Sequence, residues 1–207
     1  MTTKISGWQK ALVISILSII PSFSFANTQT TSASVETIYE TTDPFGGYFG
    51  IYGFDVSKTQ SVATRFTPAK DVSLEQIKLW LMNNDFSGDQ RGTVVVSLRS
   101  DEPVEDGKSI PSSNIIEQWV VKTSATGWDP QQETVTSLIN PVLKAGVNYW
   151  VVATSDDVSG HNAVWNVASA SWGFVTNTQP FTGEWAPISE QIGAATAITI
   201  TGQAVAK

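Results

Sequence analysis

Residues 143–154, LKAGVNYWVVAT, leave the backbone few choices. Gly146 and Asn148 mark a tight turn, and Tyr149, Trp150, Val151, Val152 and Ala153 follow as an unbroken apolar run. A run of this length, rich in β-branched and aromatic residues and opened by a turn, favours a buried strand over a helix. The polar stretch Asp156–Gly160 then releases the chain. This strand is expected at the centre of an antiparallel β-sandwich, with Trp165 and Trp172 packing over or beside it.

Shorter segments of matching character surround it. Ser61–Thr67 alternates Val62, Thr64 and Phe66 against Ser61, Ala63 and Arg65, and Pro68 stops it. Ser73–Met82 alternates as well, with Leu74, Gln76, Lys78, Trp80 and Met82 on one side; Leu74, Ile77 and Leu81 also have helical spacing, but the neighbouring strands favour a strand. Gly92–Arg99, Ile115–Lys122, Glu133–Leu138, Ala163–Val167 and Ala195–Ala204 read as further strands, and Val35–Tyr39 as a short edge strand. An acidic loop is expected over Ser100–Asn114, and an irregular Gly/aromatic segment over Asp43–Phe54. About eight to ten short strands separated by turns predict an all-β, jelly-roll-like sandwich over 61–207, preceded by a lead-in over 27–60.

The N-terminus has a different character. Lys4 and Lys10 flank the start of a chain in which Ala11–Ile20 is apolar, Pro21 breaks the run and Ser24-Phe25-Ala26 offers a cleavage site. That order is the pattern of a secretory signal peptide over 1–26, and the expected product is exported, secreted or periplasmic, beginning at Asn27. Ten basic and 19 acidic residues remain after Asn27, a net charge of −9. Such a surface repels phosphate backbones and anionic lipid, so neither nucleic acid nor membrane insertion is expected, whereas a divalent cation or a neutral polymer fits. The chain has no cysteine, which removes disulfides and thiolate metal sites and leaves the core to supply stability.

The run SVATRFTPAKDVSLEQIKLWL, a strand ending in F-T-P before an L-x-x-I-x-L strand, resembles the opening of the choice-of-anchor R domain of secreted bacterial proteins. TVVVSLRSDEPVEDGKSIPSSNII and LKAGVNYWVVAT followed by Trp165 continue the resemblance, which spans about Ser61–Trp172. The resemblance implies a jelly-roll-like sandwich at the cell exterior. It implies no catalytic residues.

The chemistry legible in the chain is that of binding. One histidine, His161, and no G-x-S-x-G elbow leave a nucleophilic triad without parts. Zinc lacks ligands for the same reason. A glycosidase needs two facing carboxylates, and nothing selects Glu75 or Glu184 from the other acids. Calcium is the better metal candidate: Asn83, Asp85, Ser87 and Asp89 place oxygens at alternate positions around Gly88, and Asp156 and Asp157 form a second cluster. A third comprises Asp101, Glu102, Glu105 and Asp106. Each is also readable as a polar hairpin loop. For an extracellular polysaccharide or cell-surface component, the candidates are aromatics free of strand duty: Trp185 first, then Trp172 and Trp128, with Tyr48 and Tyr52. Trp80, Trp119, Trp150 and Trp165 fall in strands and are expected in the core. A purely structural matrix protein is the alternative, and a glycoside hydrolase the third reading.

Overall fold

The computed structural model of the protein describes residues 34–45, 52–85, 92–178, 182–191 and 193–205. All belong to the unit Ala33–Lys207, and the expected leader lies outside them. The strands, in chain order, are β1 Val35–Glu40, β2 Gly53–Val56, β3 Val62–Phe66, β4 Val72–Asn83, β5 Thr93–Pro103, β6 Ser109–Lys122 and β7 Gln131–Thr136. They continue with β8 Val142–Leu143, β9 Tyr149–Thr154, β10 Ala163–Trp172, β11 Phe174–Asn177, β12 Ala194–Thr196 and β13 Ile198–Ala204.

Two antiparallel sheets form an all-β sandwich. One runs β11-β3-β9-β5-β6; the other runs β1-β13-β4-β10-β12, with β7 and β8 on β4 and β2 on β10. Eight of these strands, β1-β13-β4-β7 against β3-β9-β5-β6, have jelly-roll connectivity; β2, β8, β10, β11 and β12 extend the two sheets. The strand predicted from LKAGVNYWVVAT is β9. It occupies the middle of the five-stranded sheet, entered through Gly146 at φ +72°. Such a φ favours glycine, since a Cβ there meets the backbone.

Every second residue of the paired strands faces the other sheet. Val62 and Phe66, Val94, Val96 and Leu98, and Tyr149, Val151 and Ala153 come from one sheet; Ile77, Leu79, Leu81, Trp165, Ile198 and Ile200 come from the other. Trp165 is fully buried among them, as the strand reading required. Along the β6–β7 side, the Glu117 carboxylate accepts from Ser137 Oγ and the Leu138 N–H, both at 2.6 Å, and Trp119 Nε1 donates to the Thr136 carbonyl at 2.9 Å.

Three local expectations change. The strand at Val35 is paired to β13, and β2 to β10, so the lead-in of 27–60 already contributes to the sandwich. Ser100–Asn114 is no long loop: β5 and β6 run on as a hairpin closed at Glu105–Gly107, where Asp106 takes φ +60°. The alternation of β4 also breaks. Thr201 lies opposite Gln76 and Gly202 opposite Leu74, so β4 carries one extra residue at Glu75. This bulge reverses the phase. Val72 and Leu74 face the core before it, Ile77, Leu79 and Leu81 after it, and Trp80 is turned outward. Gly202 permits the close approach: a Cβ there would collide with the Ser73 carbonyl oxygen and stand 2.7 Å from Ile38 Cδ1.

Candidate functional site

Trp80 and Met82 stand two residues apart on β4 and so share a face, opposite to Ile77, Leu79 and Leu81. Among the described residues of this outer face of the eight-stranded sheet, Trp80 lines one recess and Met82 another.

The smaller recess, about 140 Å³, is bounded by Tyr52 and Trp128, with Met82 and Val164 from the sheet and Asp55 and Asn84 as its polar groups. Tyr52 is 66% and Trp128 57% exposed, so both rings keep much of their surface in water. The turn that presents Trp128 is fastened to the end of β4: the Asn83 N–H donates to the Gly127 carbonyl at 2.9 Å, and the Gly127 N–H to the Asp85 carbonyl at 3.3 Å. Gly127 itself takes φ +63°. Gly53 brings β2 against β10 on the other side, where a Cβ would stand 2.6 Å from the Trp165 carbonyl oxygen.

A hydrogen-bond chain fixes the polar groups. Trp128 Nε1 donates to Asn84 Oδ1 at 3.0 Å, and Asn84 Nδ2 donates to Asp55 Oδ1 at 2.7 Å. Asn162 Nδ2 donates to the same oxygen at 3.3 Å, while Asn162 Oδ1 accepts from the Gly160 N–H at 2.9 Å. Both amides are therefore oriented by partners on other segments. Asp55 Oδ2 has no hydrogen bond among the described residues and is available to a ligand hydroxyl. Apolar ring faces beside a held carboxylate and amide suit a ligand with one apolar face and a polar rim, as a sugar ring has.

The other expected residues are distributed elsewhere. Trp185, expected to be a free loop aromatic, is half-buried: it bridges Thr178 and packs on a second hydrophobic cluster of Ala63, Trp150, Val152 and Ile188. Its surface is committed to packing, which corrects its rank as first candidate. Trp172 ends β10 opposite Ala194, 60% exposed, and is outside the lining of both recesses. Tyr48, Ser87 and Asp89 lie outside the described residues. Asn83 is fully buried and its Oδ1 accepts the Asp85 N–H at 3.0 Å; Asp85, 5% exposed, lies 3.8 Å from His161 Nδ1. Asp157 Oδ2 accepts the Thr93 N–H at 2.7 Å, and Asp156 is exposed beside it. Among the described residues, no group of three or more His, Asp or Glu side chains is placed to hold a metal ion. The third acidic cluster is drawn out along the β5–β6 hairpin, and its Asp101 Oδ1 accepts from Trp150 Nε1 at 2.6 Å.

The outer face of the five-stranded sheet is organised differently. Arg65, Trp150 and Arg99 lie side by side across β3, β9 and β5. Trp150 is fully buried there rather than between the sheets. Arg65 lies 4.1 Å from the Phe174 ring centroid and donates to Ser109 Oγ at 2.7 Å. Burial lowers the pKa of both guanidinium groups, and the Asp101 charge opposes the shift at Arg65. Residues 182–190 cover this face through the Trp185 bridge and an antiparallel bridge between Ser109 and Ile188.

Trp80 is the recess-lining residue that the strand assignment hid, because a regular alternation puts it on the same side as Leu74. Two consecutive charged or polar residues, Glu75 and Gln76, are the only trace of the bulge in the sequence. Among the described residues no helix is long and apolar enough to cross a membrane. No protein-family model matches the chain, and no curated protein matches it.

Proposed function

We propose that the domain is an exported, non-enzymatic β-sandwich module that binds an extracellular glycan through the outer face of its eight-stranded sheet. The observation that carries this reading is the pair of exposed rings, Tyr52 and Trp128, set around an Asp55 carboxylate and an Asn84 amide that are already oriented. A pre-ordered site loses little side-chain entropy on binding, so modest contacts suffice. Export rests on Lys4, the Ala11–Ile20 run and Ala26, and kinship with the choice-of-anchor R group rests on the order of the F-T-P, L-x-x-I-x-L and LKAGVNYWVVAT motifs alone. A cell-surface protein is the second partner class, favoured by the apolar turn at Leu138 and Ile139, which are 83% and 62% exposed.

The test is retention of the protein, expressed from Asn27, on insoluble neutral polysaccharides such as cellulose, xylan and β-glucan. At least one is expected to retain it, and Trp128→Ala and Tyr52→Ala to release it with unchanged melting curves. Retention that is unaffected by both substitutions, or absent on every polymer, contradicts the reading.

A further inference from the structure

We propose that the larger recess on the same face is a second saccharide site, selective for a sugar that carries a cationic amine. The inference rests on the glycan reading for the class of ligand, and on the residues of this recess for the charge. Its volume, about 710 Å³, falls within the range of about 300–1,000 Å³ usual for small-ligand sites. Trp80 contributes its ring to the lining, held edge-on by Phe45 at a centroid distance of 5.6 Å and an interplanar angle of 90°. The Trp80 indole N–H and the Gln132 side-chain amide have no hydrogen bond among the described residues. Ser169, a residue only 7% exposed, lines the recess, and its hydroxyl has no hydrogen bond among the described residues. The hydroxyl faces the recess and is open to a ligand hydroxyl there.

The charge in the recess has one sign. Glu40 and Asp43 are both in the lining and both exposed, and the lining contains no basic side chain. Lys78, opposite Thr199 in the ladder, is outside it. Each carboxylate has one oxygen engaged, Glu40 Oε1 by Thr199 Oγ1 at 3.4 Å and Asp43 Oδ1 by the Phe45 N–H at 3.0 Å. The second oxygen of each remains for a ligand. Asp43 is held in place further by its carbonyl, which accepts the Ser169 N–H at 2.9 Å. A ring for stacking, hydroxyl and amide groups, and two carboxylates without a cation match a glucosamine unit in its ammonium form. The same set disfavours uronic or sulfated sugars by like-charge repulsion.

The experiment compares a β-1,4-linked glucosamine tetramer with its fully N-acetylated counterpart by calorimetry near pH 6. The two probes share a backbone and differ in charge. The amine form is expected to bind about tenfold more tightly, each exposed carboxylate contributing up to about fivefold. Added salt should erode that preference, because exposed charges are screened. The Glu40→Gln/Asp43→Asn double variant keeps the size and the turn bond of both side chains; its affinities for the two tetramers should agree to within about twofold, with an unchanged melting curve. Equal affinities in the unaltered protein overturn the proposal, as does a preference that survives in the double variant. If neither tetramer binds while neutral polysaccharide still retains the protein through Trp128, the second site alone falls and the first reading stands.

Discussion

The two outer faces of this sandwich begin from similar material and end as opposites. Each has a tryptophan in mid-strand with polar cross-strand neighbours: Trp150 between Arg65 and Arg99 on one, Trp80 beside Gln132 on the other. Residues 182–190 return over the first face, bring Ile188 and Trp185 onto Trp150, and close it to water. No comparable cover lies on Trp80 among the described residues; only Phe45 and the small side chains of Ala168, Ala195 and Ala197 pack against it, and the recess stays open. Whether an aromatic is sealed or stays reachable is thus decided by what later returns to cover its face. Lying in a strand or a loop does not decide it: Trp185, outside the named strands, is packed, and Trp80, in a strand, is reachable.

That contrast can be broken by substitution, starting with the sealed face. Trp150→Ala should cost about 3–5 kcal/mol, because it opens a cavity under the cover and strands Asp101 Oδ1 without its donor. A chemical-denaturation midpoint close to that of the unaltered protein would mean that the cover is not packed. Gly202→Ala should follow at about 1–3 kcal/mol, as the added methyl forces β13 away from the Ser73 carbonyl at the bulge that aims Trp80 outward. Its melt should therefore fall together with amine-form tetramer binding; an unchanged melt would show that the bulge is not tight. Trp185→Ala is expected at about 1–2 kcal/mol, since the ring is only half-buried, with glycan retention intact. Loss of retention at unchanged stability would return Trp185 to the binding surface. Trp128→Ala, on the open face, should shift stability by less than about 0.5 kcal/mol while lowering retention about tenfold.

Much of the architecture was legible because strands announce themselves by period. The turn at Gly146, the apolar run of β9 and the alternation of Ile198 and Ile200 each specify local structure without help from distant residues. The site was harder to read. Trp128 and Tyr52 were recognisable as candidates, being aromatics outside long alternating runs, but their convergence depends on β2 docking against β10, a pairing more than a hundred residues apart. Trp80 was concealed by a bulge that reverses the phase of β4 midway. Trp185 misled for the opposite reason. Its cover role arises from bridges to Thr178 and from Ile188 reaching Ser109, and no local pattern marks such contacts. The acidic stretch at Asp101–Asp106 looked like a loop by composition, yet hairpin pairing with β6 overrode the low strand propensity of Asp, Glu and Pro.

The central claim is that ligand meets the outer face of the eight-stranded sheet and not the covered face of the other. The most direct measurement follows the tryptophan indole N–H resonances of the unaltered protein by two-dimensional NMR while a soluble neutral oligosaccharide is added. The account predicts that the Trp128 signal moves in a saturable way, and that those of Trp150, Trp165 and Trp185 stay where they are. Movement of the Trp185 signal with Trp128 unmoved, or no movement of any indole at millimolar saccharide, would contradict it.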